Sequence, residues 1–309
     1  MRISGFTMCR NASVLHYPVC ESIKSLLPVV DEMVVAIGKG DTADTTLEDV
    51  RKIGSPKIRI VETEWDLQKF PNGMENAHQT DIAKSHCTGD WLIYLQADEI
   101  LHEQDYPAIR KALTEEYNNT SVEAFVLDYL HFWGDYEHLV TCHGWYQNEI
   151  RIVRNLPEIH SWESAQSFRW IEGFDGISYR SAPNARKLKA KKIDANIYHY
   201  GWVRPPAVMT KKMNALDAVH SHKKKRFSGE FEYGNLSNLD IFRGTHPIVI
   251  TTLKNTISWS SQLCYTAKKL NRTHRFKHER LKYKIMHLLE KWFNGGRHLF
   301  AFKNFDLIE

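Results

Sequence analysis

The sequence predicts an α/β fold, a mostly parallel central sheet with helices on both faces, followed by a helical C-terminal extension. Three observations lead there. Residues 91–95, Trp-Leu-Ile-Tyr-Leu, are a continuous apolar run of strand length, the pattern of a strand covered on both faces in the middle of a parallel sheet. Upstream of it, strand-like runs at 3–8, 33–37 and 57–61 alternate with helix-like stretches. Beyond Pro205-Pro206 the apolar period becomes helical. A length of 309 residues with 42% hydrophobic content suits one large domain or one domain with an extension.

Taken in order, residues 3–8 read as the first strand, and the Cys-Arg-Asn-Ala-Ser run at 9–13 has turn and cap chemistry. Pro18 suits the first turn of a helix whose buried face is Val19, Ile23, Leu26 and Leu27. The second strand runs into a turn-rich segment at 38–46 that opens a helix at Leu47, with Asp44 or Thr45 as its cap. After the third strand, Trp65-Asp66 stands where the chain turns back over the sheet's carboxyl edge. Residues 73–87 read as a helix, 105–117 as an amphipathic helix and 122–132 as a strand. Residues 149–154 alternate polar and apolar, the period of a half-buried strand, and the basic stretch at 187–192 reads as a solvated face. Helices are predicted over 206–222, 247–270 and 278–293, with a last short strand at 299–302. The boundary falls near 204, dividing a sheet domain (1–204) from the extension (205–309).

A net charge of +4 and a pI near 8.6 fall short of the concentrated basic character of a dedicated nucleic-acid binder. The five cysteines show no C-x-x-C pairing, so neither a disulfide framework nor a zinc knuckle is indicated, and a reducing cytosol is the natural compartment. No stretch approaches the ~20 apolar residues of a membrane span.

The carboxylates Asp98 and Glu99 close the central apolar run, at the end of a parallel strand where α/β sheets bind ligands. They hold a cation or polar substrate there, or else cap the helix beginning near Gln104 or are solvated turn residues. Two segments, residues 131–136 and 143–146, concentrate aromatics around glycines. Such rings pack on sugars or form ordinary core.

The first hundred or so residues resemble the family-2-like nucleotide-sugar glycosyltransferases of GT-A fold in the order and spacing of these segments, and Gln96-Ala97-Asp98 looks like that family's Asp-X-Asp motif with Gln for the first acid. The resemblance implies transfer of a sugar from a nucleoside diphosphate to a glycan, lipid-linked or other hydroxyl acceptor. It implies Mn²⁺ or Mg²⁺ held by Asp98, with His199 as a further ligand or else a core histidine. Donor contacts fall on Thr7, Arg10, Asn11, Asp41, Asp44, Gln79, Asp81, Gln96, Ala97 and Arg204. For Asn11 a local turn is the competing reading, and for Gln79 and Asp81 an exposed helix face.

Glu163 matches the family's base, an acid after the metal motif near a tryptophan, here Trp162, and implies inversion; Asp175 and Asp135 compete with it. The sequence departs from the family in the loop at 38–46, where the acid that follows the strand is replaced by Gly38-Lys39 or displaced to Asp41. Two other classes stay open. A nucleotidyltransferase is disfavoured because residues 7–13 lack glycine, and a non-catalytic sugar- or nucleotide-binding module leaves the strand-end acids without a purpose. A cytoplasmic location is expected, with peripheral contact at the membrane's inner face through Lys223-Lys-Lys-Arg226, Phe227, Trp259 and Trp292.

Overall fold

The computed structural model describes residues 1–221, 229–266, 275–299 and 303–308. Its strands are β1 (Ile3–Cys9), β2 (Glu32–Gly38), β3 (Ile58–Thr63), β4 (Trp91–Tyr94), β5 (Glu99–Leu101), β6 (Ala124–Trp133), β7 (His138–Leu139), β8 (Asn148–Arg154), β9 (Ile159–Trp162), β10 (Ser167–Ile171), β11 (Ala185–Arg186), β12 (Leu188–Trp202), β13 (Asp240–Ile241) and β14 (Phe305–Leu307). The helices are α1 (Val19–Leu26), α2 (Thr46–Lys52), α3 (Met74–Ser85), α4 (Tyr106–Glu115), α5 (Pro206–Ser221), α6 (Thr251–Asn255) and α7 (Leu281–Phe293).

The central sheet runs β3-β2-β1-β4-β8-β6, and β12 pairs with β6 beyond it. The pairs β1–β2, β2–β3, β1–β4 and β6–β12 are parallel, whereas β8 is antiparallel to both its neighbours. The sheet is therefore mostly parallel, and its strands are apolar on both sides because both faces are covered. In β2, Met33, Val35 and Ile37 pack with α1 on one face, while Val34 and Ala36 pack on the other with Ala83 of α3. This is the α/β architecture that the unbroken apolar runs predict.

Several expectations change. The basic stretch at 187–192 is not a detached solvated face: it begins the long strand β12, in which buried and exposed residues alternate. The helix expected over 247–270 is a 3₁₀ turn (Ile248–Ile250) followed by the short α6, and 267–270 lie outside the described residues. The last strand is β14 rather than 299–302, of which 300–302 lie outside the described residues. Aromatics of the segment at 131–136 are core, not a sugar platform. Trp133 is fully buried and donates its indole N–H to the Tyr233 carbonyl at 2.9 Å, while Phe132 and Tyr136 pack in the same cluster.

Beneath the β4–β5 turn lies a buried ion pair. Arg151, on β8, donates Nε and Nη2 to the two oxygens of Glu99 at 2.7 and 2.8 Å, with both side chains fully enclosed. The Tyr129 hydroxyl and the Gln96 N–H donate to the same carboxylate. Such bidentate pairs are geometrically rigid, and removing one partner strands a charge. Arg151→Met is expected to cost about 3–5 kcal/mol in urea unfolding, and adding Glu99→Leu to recover part of that loss.

A second prediction concerns pH. Burial holds the His246 imidazole down at about 4, against an ordinary 6.5, while its Nδ1 meets the Tyr200 hydroxyl at 2.8 Å. With the folded value below the unfolded one, the unfolded chain takes up the proton first, so stability falls as pH drops from 6.5 toward 4. Urea midpoints at about pH 7 and about pH 5 are expected to show this decline, and His246→Gln to reduce it.

Candidate active site

The carboxyl ends of the parallel strands converge on one cavity of about 650 Å³. Arg10 and Asn11 follow β1, Asp41 follows β2, Trp65 follows β3, and Gln96, Ala97 and Asp98 follow β4; all line it. The far wall comes from His199 and Trp202 of β12 and Lys212 of α5, with Tyr146 ahead of β8. Asn11 sits in the left-handed region at φ 56, where asparagine is tolerated, and its Oδ1 accepts the Asp41 N–H at 2.7 Å. The local turn and the cavity position thus coexist. The Arg10 guanidinium lies 5.7 Å from the centre of the Trp65 ring, and its Nε donates to the Lys39 carbonyl. Trp65 lies so close over Gly38 that a Cβ there would meet its Nε1 at 2.2 Å, so the close approach requires a glycine.

Asp98 is the electrostatic focus. Lys212 Nζ donates to Asp98 Oδ2 at 2.9 Å and to the Gly201 carbonyl at 2.6 Å. Arg204 Nη2 stands 4.0 Å from the same oxygen, and His199 Nε2 lies 3.9 Å from Oδ1. Burial works to raise the Asp98 carboxyl, but Lys212, His199 and Arg204 outweigh it and hold the group well below the usual carboxylate range. Burial, joined by Arg204, draws the Lys212 ammonium down to about 8 against the pull of Asp98. Asp98 is therefore ionised.

His199 is oriented from behind. His131 Nε2 lies 2.8 Å from the Tyr146 carbonyl, which only accepts, so Nε2 carries the proton. Burial holds His131 at about 3 and His199 at about 4, so both rings are neutral near pH 7. His131 Nδ1 then accepts from His199 Nδ1 at 2.9 Å, leaving the lone pair of His199 Nε2 toward Asp98. This is the arrangement by which an outer hydrogen bond prepares an imidazole ligand. Gly201 keeps the gap open: a Cβ there would lie 2.4 Å from His199 Nε2 and 2.8 Å from Asp98 Oδ2.

Other expected residues lie elsewhere. Gln79 is fully buried and spends its amide on Glu75, the Glu64 carbonyl and Thr63, not on an exposed helix face. Asp81 ties α3 to β9 through His160 Nδ1 and the Ser161 N–H, both at 2.8 Å. Asp44 accepts from Ser13 and Thr46 and fixes the β2–α2 loop. Thr7 is enclosed within β1 outside the cavity lining, and Arg204 is buried behind Asp98. Glu163 does not line the cavity, although its neighbour Ser164 does. Its side chain is 46% exposed and 4.0 Å from Arg180, so the flanking tryptophan does not desolvate it. Of its competitors, Asp135 binds His138 and Asp175 caps the turn at Ile177 and Ser178.

The sequence reading missed Lys212, Gly201 and His131. Lys212 carries the further consequence that the boundary near 204 cuts through the site, since the helix beyond it supplies a cavity residue. Among the described residues no three His, Cys, Asp or Glu side chains are grouped to hold a metal ion. Asp98 Oδ1 and His199 Nε2 stand 3.9 Å apart, while the Lys212 ammonium occupies the other oxygen of the same carboxylate.

No family model matches the chain, and no curated protein matches it. Among solved structures it is similar to residues 1–349 of TarS from S. aureus, with a TM-score of 0.37 and 12% identity over 71% of this chain and 65% of that one. It is also similar to glucosyl-3-phosphoglycerate synthase from Mycobacterium tuberculosis in complex with Mn²⁺, UDP and phosphoglyceric acid, with a TM-score of 0.27 and 19% identity over 41% of this chain and 43% of that one. The chain thus spans less than two thirds of either. Likeness at these scores carries no inference about activity, which rests on the site itself.

Gly201→Ala is expected to push His199 or Asp98 from its place at a cost of about 1–3 kcal/mol, the usual penalty of overpacking, read from urea unfolding. Unchanged stability would show that the site has slack at this point.

Proposed function

We propose that the protein transfers a sugar from a nucleoside diphosphate sugar to an acceptor hydroxyl. One observation carries the reading: an ionised Asp98, ringed by Lys212, Arg204 and the bare Nε2 of His199, faces a cavity at the carboxyl edge of a parallel sheet. It agrees with the resemblance to GT-A glycosyltransferases. A nucleoside is placed at the β1–β3 edge, where Arg10 and Trp65 offer a cation and an indole and Asp41 an acceptor. The diphosphate then lies toward Asp98 and Lys212, and the sugar toward Tyr146 and Trp202.

Asp98 and His199 would hold Mn²⁺ or Mg²⁺, which when bound supplies Lewis-acid stabilisation of the departing diphosphate. The chain's own contribution is to exclude water from the buried face of Asp98 and to hold His199 in the ligating tautomer. Gln96 is held by its amide donating to the Ala165 carbonyl at 2.9 Å. Glu163 is proposed as the base that accepts the acceptor's proton, from the segment that also brings Ser164 and Gln166 to the cavity. Attack opposite the leaving group inverts the anomeric centre. Thermal shifts with UDP-, GDP-, CMP- and dTDP-sugars test donor binding, since a ligand of the folded state raises its stability. Release of nucleoside diphosphate separates an enzyme from a binding module.

Asp98→Asn is expected to abolish transfer while the chain stays folded by circular dichroism. In Glu163→Gln, transfer should fall by roughly 10²-fold or more with donor affinity nearly unchanged. Transfer retained within a few-fold would move the base to another acid.

Peripheral membrane contact is proposed through α7. No helix among the described residues is long and apolar enough to cross a membrane. Yet α7 docks by its buried Glu290, which meets His143 at 2.6 Å, and turns Leu281, Ile285, Trp292 and Phe293 outward beside Lys282, Lys284 and Lys291. Trp292 and Phe293 are 73% and 79% exposed, the amphipathic pattern of an interfacial helix. Trp259, by contrast, is buried and donates to the Gly134 carbonyl, so it takes no part, and the basic run at 223–226 with Phe227 lies outside the described residues. Trp292→Ser with Phe293→Ser is expected to lower cosedimentation with anionic vesicles. Equal binding of the wild type to neutral and anionic vesicles would remove the charge contribution.

A further inference from the structure

We propose that Lys212, with Arg204 behind it, is a cationic diphosphate site built into the chain, so that a nucleoside diphosphate binds without a divalent ion. The inference rests on the donor reading above and specifies how that donor's phosphates are held.

Lys212 lines the cavity although it is buried, and two of its three ammonium donors are spent on Asp98 Oδ2 and the Gly201 carbonyl. The third remains for a ligand. Arg204 is fully buried and donates Nη1 to the Leu15 carbonyl at 2.8 Å; its Nε and Nη2 have no hydrogen-bond partner among the described residues. The Tyr17 ring lies 4.6 Å from the Arg204 guanidinium and 4.7 Å from Lys212 Nζ, holding both without adding a counter-charge.

One carboxylate, Asp98, thus stands against two buried cations. A buried charge in surplus is costly unless something neutralises it, and orphaned guanidinium N–H groups add to that cost. A divalent cation on Asp98 increases the local surplus of positive charge. A diphosphate removes it, because its oxygens take the third Lys212 donor and sit within the field of Arg204. In this arrangement Asp98 is the positioning group that aims Lys212, and the ammonium neutralises the charge that gathers on the leaving diphosphate.

The test is calorimetric titration of the full chain with UDP, GDP, CDP and dTDP, once in EDTA and once with Mn²⁺. One of the four is expected to bind in EDTA, with Mn²⁺ changing its affinity only a few-fold. Lys212→Met is expected to weaken binding in EDTA by roughly 10-fold or more, the size of a lost charge-assisted hydrogen bond, and to make binding Mn²⁺-dependent; Lys212→Arg should keep more affinity than Lys212→Met. Wild-type binding that appears only with Mn²⁺ overturns the inference while leaving the donor reading intact, and this arm decides even if the variants fail to fold. Undiminished binding of a folded Lys212→Met in EDTA overturns it as well. If none of the four binds in either condition, the donor reading itself fails.

Discussion

The turn between β4 and β5 is held from below by Glu99, and the rest of the site depends on that hold. Its bidentate pair with Arg151 ties the turn to β8, the Tyr129 hydroxyl ties it to β6, and the Gln96 N–H closes the turn on itself. With Glu99 turned into the protein, the preceding residue is turned out, and Asp98 meets the cavity. Two adjacent acids therefore take opposite parts: one is a strut and the other lines the cavity, paired with Lys212. The same turn is fixed on its other side, where the Tyr200 N–H donates to the Asp98 carbonyl, so the carboxylate and His199 are set relative to each other by backbone.

Much of this was legible in the sequence because a parallel sheet writes its strands as unbroken apolar runs and collects its ligand groups just past them. Arg10, Asn11, Asp41 and Asp98 are found by that rule, each a short step beyond a strand, and all of them line the cavity. Asp44 follows the same pattern and does not, and neither do Gln79 and Asp81, which the resemblance to the family assigned on the helix α3, since each finds its partners inside the protein. A sequence does not distinguish a polar side chain facing a ligand from one facing a backbone amide. Lys212 was invisible for the opposite reason. It reads as an ordinary helical lysine, and only the path of α5 over the cavity mouth gives it a buried partner.

The aromatic residues make a similar point about composition. Their concentration around 131–146 suggested a sugar-binding surface, yet the Trp133, Phe132, Tyr198 and Tyr200 cluster is where the C-terminal segments attach to the sheet. Between α5 and α7 the described residues carry little regular structure, so large rings with one polar atom each supply both contact area and fixed orientation. The Trp133 and Trp259 indoles each find a carbonyl across the junction, which makes the extension part of one body with the sheet.

His199, Gly201, Arg204 and Lys212 all lie on the ribbon that leaves β12 and turns into α5. The pairing of β12 with β6 slips between His199 and Trp202, so the ribbon is irregular where these groups must face the cavity. Several of the site's groups therefore come from one short stretch of chain, which is tied to the loop after β1 where Arg204 donates to the Leu15 carbonyl. A change in chain length between His199 and Lys212 therefore shifts these cavity groups relative to one another rather than displacing one of them alone.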